Sequence, residues 1–342
     1  MSATLVNLMV IMENVYKAFP PKTLLPFRKP ETAKVEPVLK DITMALPKGE
    51  IYGLLGPSGS GKTTTMRMML GTYFPTSGRV EVMGTPPNKW GRELQSKIGY
   101  VPQLFVLYPD LTVRQNMEFI ASVYAVPLAE RRKRIPELLD LVELTPAQNR
   151  PAGKISGGMQ RRLSIAAALI HQPPLLFVDE PTAGIDPILR AKIWDEFRRL
   201  KEQGTTLFVT TQYVNEADLC DRVGIMNRGE LIANGTPDEL REQAFAGESQ
   251  VIDVTTAAPL PPSLPGLGAE PLVKSFERLS DRRILVRVQS SGRDMEEVVQ
   301  ALQRDGVSIE QLNARSVEFD DVFLRIVNDA GRRVHAGIGG IS

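Results

Sequence analysis

Gly56–Thr63 reads GPSGSGKT, a match to GxxxxGK[ST] that follows an apolar strand pattern, EIYGLLG, and opens a helical one, GKTTTMRMML. The chemistry this spacing supports is phosphate binding. Gly56, Pro57, Ser58, Gly59, Ser60 and Gly61 form a loop whose backbone N–H groups can turn inward around an anion, and the helix N-terminus adds partial positive charge. Lys62 can reach the β and γ oxygens of a nucleotide, the Thr63 hydroxyl is placed to ligate Mg²⁺, and Thr64 stands beside them.

Two further stretches supply what hydrolysis would need. LLFVDEP ends an apolar run in two carboxylates, and the carboxyl end of a parallel strand faces the ligand crevice of an α/β sheet. Asp179 is therefore expected to hold Mg²⁺, directly or through water, and Glu180 to accept a proton from an attacking water. The stretch LFVTTQYVNEADLCDRV puts Gln212 at the mouth of another strand, ahead of a helix carrying Asn215, Glu216 and Asp218. An amide there can donate a hydrogen bond but cannot titrate.

The elements that must position these groups follow from the hydrophobic pattern. Up to about residue 240, short β-rich runs alternate with helical ones, which predicts an α/β domain with a largely parallel sheet. Residues 112–145 and 157–171 read as helices between the IGYVPQ and PLLFVDE strands, so a helical subdomain is expected over about 104–172. Met66, Met68 and Met69 read as packing residues on the helix after the loop. Beyond a cassette spanning 1–245, the Pro-rich stretch 257–271, three short strands and two helices predict a small α+β domain over 246–330. The tail 331–342 is expected to be disordered. No internal repeat is visible.

Composition removes several classes of function. The 342 residues carry 41 Lys plus Arg against 40 Asp plus Glu, so no global field attracts nucleic acid, and no nucleic-acid partner is expected. The single cysteine, Cys220, excludes an internal disulfide framework and reads as a core or helix thiol. No run reaches the roughly 18–20 apolar residues that span a bilayer, and the N-terminus lacks the basic lead-in of a signal peptide. A cytoplasmic location is expected. His171 reads as structural.

KISGGMQRRLSIAAALIHQPP then makes a family resemblance specific. Ile155–Met159, ISGGM, resembles the LSGGQ signature of ATP-binding-cassette (ABC) ATPases, which are P-loop NTPases with a helical signature subdomain. The resemblance implies a head-to-tail dimer in which Ser156, Gly157 and Gly158 of one copy close over the nucleotide bound by the other. It also implies ATP and Mg²⁺ as ligands. Gln103 in GYVPQ resembles the family's Q-loop glutamine, a Mg²⁺ or water contact; Asp186 in PTAGIDP resembles the acidic D-loop position; Phe19, with Tyr16 as the alternative, matches the aromatic that stacks on adenine.

Where the family usually has a histidine, this chain has Gln212. TTQY followed by EAD resembles bacterial exporter cassettes of the daunorubicin type, and SVEFDDVFLRI resembles the LEDVFL close of their C-terminal domain. The implied function is the ATP-hydrolysing subunit of a bacterial exporter of drug, lipid or polysaccharide. It would power a separate transmembrane permease as a homodimer, held peripherally on the inner face of the cell membrane. The catalytic set would be Glu180, Gln212 and Lys62. An ATP-binding regulatory cassette that hydrolyses poorly is the alternative attached to Gln212. DNA-maintenance ATPases and translation-factor cassettes share the signature, but they carry long insertions or a second cassette that this chain lacks. The Pro-rich segment 20–37 reads as a solvated loop or a contact with the membrane or its subunit.

Overall fold

The computed structural model describes residues 7–19, 36–245, 250–288, 294–316 and 318–338. It divides into two units, Met1–Asn234 and Gly235–Ser342. The boundary falls earlier than the expected 245.

In the first unit the strands are β1 (Leu8–Lys17), β2 (Leu39–Pro47), β3 (Ile51–Leu55), β4 (Ser77–Val82), β5 (Ile98–Val101), β6 (Leu175–Asp179), β7 (Thr206–Thr211), β8 (Arg222–Asn227) and β9 (Glu230–Gly235). Every residue of β3, β6 and β7 is buried, as suits strands in the middle of a sheet covered on both faces. They are indeed adjacent: the six-stranded sheet runs β5-β6-β7-β3-β8-β9 and is parallel from β5 through β8. Register then decides where the chemistry goes. Leu55 pairs with Thr211 and Asp179 with Thr210, so the loop after β3, the carboxylates ending β6 and Gln212 after β7 emerge along one edge.

A second sheet, antiparallel and ordered β2-β1-β4, completes the same core. Sequence pattern did not anticipate it, because its pairings join segments far apart in the chain. Tyr52 stacks on Phe208 at 5.5 Å, and Met66, Met68 and Met69 are buried in the core that both sheets share.

The helices of this unit are α1 (Lys62–Met69), the single-turn α2 (Arg92–Gln95), α3 (Val113–Val123), α4 (Leu128–Leu141), α5 (Gly157–Leu169) and α6 (Pro187–Glu202). Thr112 and Gln115 form a reciprocal capping box that starts α3. α3, α4 and α5 close a core of their own around Val113, Met117, Leu139 and Leu163. His171, just past α5, stacks on Tyr124 at 3.6 Å, and its Nε2 lies 3.2 Å from the Ile98 carbonyl. Burial pushes its pKa down to about 4. Cys220 is buried, with its thiol donating to the Glu216 carbonyl, and burial raises its pKa.

The second unit contains α7 (Pro237–Phe245), β10 (Gln250–Thr256), the single-turn α8 (Pro265–Gly268), β11 (Val273–Ser280), β12 (Arg283–Val288), α9 (Asp294–Arg304), β13 (Ile309–Ser316) and α10 (Phe319–Ile338). Its antiparallel sheet is ordered β11-β12-β10-β13 and buries Ile252, Val286 and Leu302. α7 was expected in the cassette, but it packs within this unit. The Arg325 guanidinium lies 4.7 Å from the Phe245 ring and that of Arg241 lies 5.8 Å from the Phe319 ring. Disorder was expected from 331, whereas α10 continues to Ile338: once the buried Phe319, Val322 and Ile326 anchor its first turns, each further residue extends an existing helix instead of nucleating one. Residues 339–342, and segment 20–35 of the Pro-rich insertion, lie outside the described residues.

Candidate nucleotide site

The loop Gly56–Gly61 leaves β3 and turns at once into α1. Gly61 sits at φ 110°, where a side chain is strained, and a Cβ there would lie 2.5 Å from Leu39. Gly56 is held against β8, and a Cβ would meet the Met226 carbonyl at 2.4 Å. These packing constraints explain two of the glycines independently of any ligand. A cavity of about 230 Å³ opens above the loop, lined by Val38, Ser58, Gly59, Lys62, Thr63 and Gln103 with Gly61, Thr64 and Glu180 beside them.

Lys62 is almost fully buried. Its Nζ donates to the carbonyls of Gly56 at 2.8 Å and Pro57 at 3.1 Å, and stands 3.7 Å from Glu180 Oε1. Burial lowers its pKa below the usual ammonium range, while the charges of Glu180 and Asp179 oppose that shift.

Glu180 sits at φ 51°, in left-handed backbone that a non-glycine residue adopts only when its surroundings hold it. Its N–H donates to both the Thr210 carbonyl and the Thr210 hydroxyl, at 3.0 and 3.1 Å. The carboxylate is held from two sides: Gln212 Nε2 donates to Oε1 at 2.6 Å and Gln103 Nε2 to Oε2 at 3.1 Å.

Next to it, Asp179 Oδ1 accepts from the hydroxyls of Thr210 at 2.5 Å and Thr63 at 3.3 Å. Asp179 Oδ2 and Ser60 Oγ are buried without a hydrogen-bond partner. A buried carboxylate oxygen left unpaired is costly, and a hard cation beside the Thr63 hydroxyl would satisfy it. Among the described residues no three His, Cys, Asp or Glu side chains gather, so nucleotide phosphates and water would have to complete the shell of a Mg²⁺. The donors present fit that ion.

The other expected residues stand elsewhere. Ser156 caps α5, accepting from the Met159 N–H at 3.3 Å, and Gly157 is exposed beside it. Gly158 lies against the PTAGID loop, where a Cβ on it would be 3.7 Å from the Gly184 carbonyl. Asp186 caps α6 through the Leu189 N–H at 3.0 Å. None of these four lines the cavity over the loop. Phe19 is also outside it, packing edge-on against Tyr73 at 5.1 Å with the Lys17 ammonium 4.8 Å from its ring. The alternative ring, Tyr16, is partly exposed on β1.

Sequence reasoning missed three contributors. Thr210 joins Asp179 to the backbone of Glu180; the TT pair before Gln212 was its only trace. Val38 lines the cavity after a long insertion that hides its position in the pattern. Arg161, buried on α5, donates to the carbonyls of Pro102, Asp179 and Pro181, so it holds the residue before Gln103 and both neighbours of Glu180.

Comparison with known proteins agrees with this geometry. The pattern of the family described as ABC transporter matches residues 39–183. Daunorubicin resistance ATP-binding protein DrrA2 of Streptomyces coeruleorubidus is 36% identical over 298 residues, 84% of this chain and 89% of the relative. The chain belongs to the ABC transporter family. The fold around residues 39–183 is that of an ABC ATPase cassette. The probable multidrug ABC transporter ATP-binding protein YbhF of Escherichia coli (strain K12) is 39% identical over 207 residues, but the chain spans only 36% of that protein's length. Among solved structures, the dimeric post-hydrolysis state of an ATP-binding cassette bound to ADP and Pi aligns with a TM-score of 0.59 and 31% identity. That alignment covers 67% of this chain and 98% of the other.

Proposed function

We propose that the cassette hydrolyses ATP to power an exporter, with Glu180 as the general base. The observation that carries this reading is the carboxylate of Glu180, clamped between the amides of Gln103 and Gln212 and facing Lys62. When bound, Mg²⁺ would supply charge stabilisation on the β and γ oxygens, held by Thr63 and Asp179 with Gln103 nearby. The residues then divide the work. The loop 56–61 and Lys62 bind phosphate, Thr210 fixes Asp179 and Glu180 relative to each other, Glu180 takes the proton from water, and Gln212 orients the group it touches. Phe19 and its Tyr73 support offer a ring face for adenine.

Two copies working head to tail are part of the proposal. Ser156, Gly157, Gly158 and Asp186 lie outside the cavity over their own loop, which suits residues that complete a partner's site. The dimeric cassette among the structural relatives supports that arrangement.

A separate membrane subunit is also part of the proposal, and the surface beside Gln103 supports it. Among the described residues no helix is long and apolar enough to cross a membrane. After Gln103 the side chains alternate: Phe105 and Leu107 pack on the helical core while Leu104 and Val106 are 76% and 66% exposed. Tyr108 and Phe119, in edge-on contact at 4.8 Å, extend the apolar surface. Such a surface beside an active-site glutamine suits a permease segment and would hold the cassette on the cytoplasmic face of the membrane. The relative named for daunorubicin resistance favours a drug-like cargo. Copurification of the chain from membranes with a multi-spanning membrane protein, followed by measuring which cargo stimulates phosphate release by that complex, tests the reading; a chain that binds no membrane subunit would defeat it.

A further inference from the structure

Among the described residues, Glu216 is the most deeply buried carboxylate that the chemistry above does not use, at 1% exposure. It lies in the 3₁₀ turn Val214–Leu219 that follows Gln212. Both of its oxygens are engaged: Oε1 accepts from the Thr182 hydroxyl and Oε2 from the Thr211 hydroxyl, each at 2.5 Å. Thr182 stands two residues after Glu180, and Thr211 immediately precedes Gln212. The two hydroxyls therefore flank the Gln212–Glu180 hydrogen bond, one on each chain segment.

The bridge extends in both directions. Thr211 Oγ1 also accepts from the Tyr213 N–H at 3.0 Å, and the Glu216 N–H donates to the Tyr213 carbonyl at 3.1 Å, which closes the turn around Gln212. On the other side, Arg190 in the first turns of α6 brings its Nε to 3.9 Å from Glu216 Oε1 and lays its guanidinium 4.3 Å from the Tyr213 ring. A buried carboxyl group with both oxygens engaged by hydroxyls resists small displacements, because any loosening leaves one of those oxygens unpaired.

We propose that Glu216 is a positioning residue: it ties the segment carrying Gln212 to the loop between Glu180 and Asp186, so that the Gln212 amide and the catalytic carboxylate move as one unit. This rests on the ATPase reading above. A consequence is that movement of the Thr182–Asp186 loop reaches Gln212 through the Glu216 side chain as well as through the direct Gln212–Glu180 bond.

The test is a double-mutant cycle on the full-length chain, reading kcat for ATP hydrolysis and the Kd for ATP separately. Glu216→Ala is expected to lower kcat by about 10-fold or more while leaving Kd within about 2-fold. In a Gln212→Ala background the same change is expected to add less than about 2-fold, because the group it positions is already gone. If Glu216→Ala does not fold, Thr182→Val, which removes one arm of the bridge with little change of shape, takes its place in the cycle. Losses that multiply, a matching loss of ATP affinity, or wild-type turnover in Glu216→Ala would each overturn the proposal. Absence of turnover in the wild-type chain would instead overturn the ATPase reading, and the role of Glu216 with it.

Discussion

Gln212 donates from its side-chain amide to Glu180 Oε1 at 2.6 Å, while Gln103 holds the other oxygen of the same carboxylate. The residue that stands where the family usually has a histidine thus contacts the catalytic carboxylate directly, through a group that carries no charge and no titratable proton. Orientation is what it can contribute.

A substitution series at Gln212 separates orientation from charge. Gln212→His, which restores an N–H donor, is expected to keep turnover within about 10-fold of wild type, and Gln212→Ala to lose more than that. The histidine variant should also gain a limb in its pH–rate profile near 6.5 that the wild type lacks. Steady-state phosphate release between pH 5.5 and 8 checks both; equal activity of the alanine and wild-type proteins would remove Gln212 from the site.

Lys62 gives a binding prediction. Its Nζ is poised between two loop carbonyls and Glu180, so Lys62→Ala removes a charge-assisted phosphate contact worth roughly 1.5–3 kcal/mol. ATP affinity is expected to fall about 10-fold or more, as read by calorimetry. Melting of the protein without nucleotide should change far less than the nucleotide-induced shift.

His171 makes stability depend on pH. Its folded pKa, about 4, lies below the unfolded value near 6.5, so below 6.5 the unfolded chain binds a proton that the native state refuses. Its contribution is therefore lost as pH falls from about 6.5 towards 4 and is constant above that window. His171→Phe keeps an aromatic ring against Tyr124 and removes the titration. Urea melts at pH 7 and pH 5 should show wild type losing up to about 2 kcal/mol more than this variant.

The phosphate loop and the DE pair were legible in the sequence because each is a contiguous run at the end of an apolar strand. Adjacency of β6, β7 and β3 was not, since strand order is set by long-range pairing, and this hid Thr210, whose role exists only because it pairs with Asp179. The β2-β1-β4 sheet escaped for the same reason. In the second unit the apolar runs of β10, β11 and β12 and the amphipathic α9 and α10 were readable. Ile309–Ser316 was not: IEQLNARS has too few β-branched or aromatic residues to signal a strand, and β10 recruits it by pairing. GTPDELREQAF reads in sequence as a helix continuing the cassette, whereas in the structure Phe245 meets Arg287 and Arg325 and Arg241 meets Phe319, contacts made from well downstream that no local pattern reveals.

ATP hydrolysis by the wild-type chain and by Glu180→Gln, compared with Mg²⁺ in the presence of the membrane subunit, is the most direct measurement. The expected result is turnover by the wild type and a fall of about 10²–10⁴-fold in the variant, with ATP binding kept in both. Undetectable turnover by the wild type, or equal turnover by the two, would contradict the assignment of Glu180 as the base of an active ATPase.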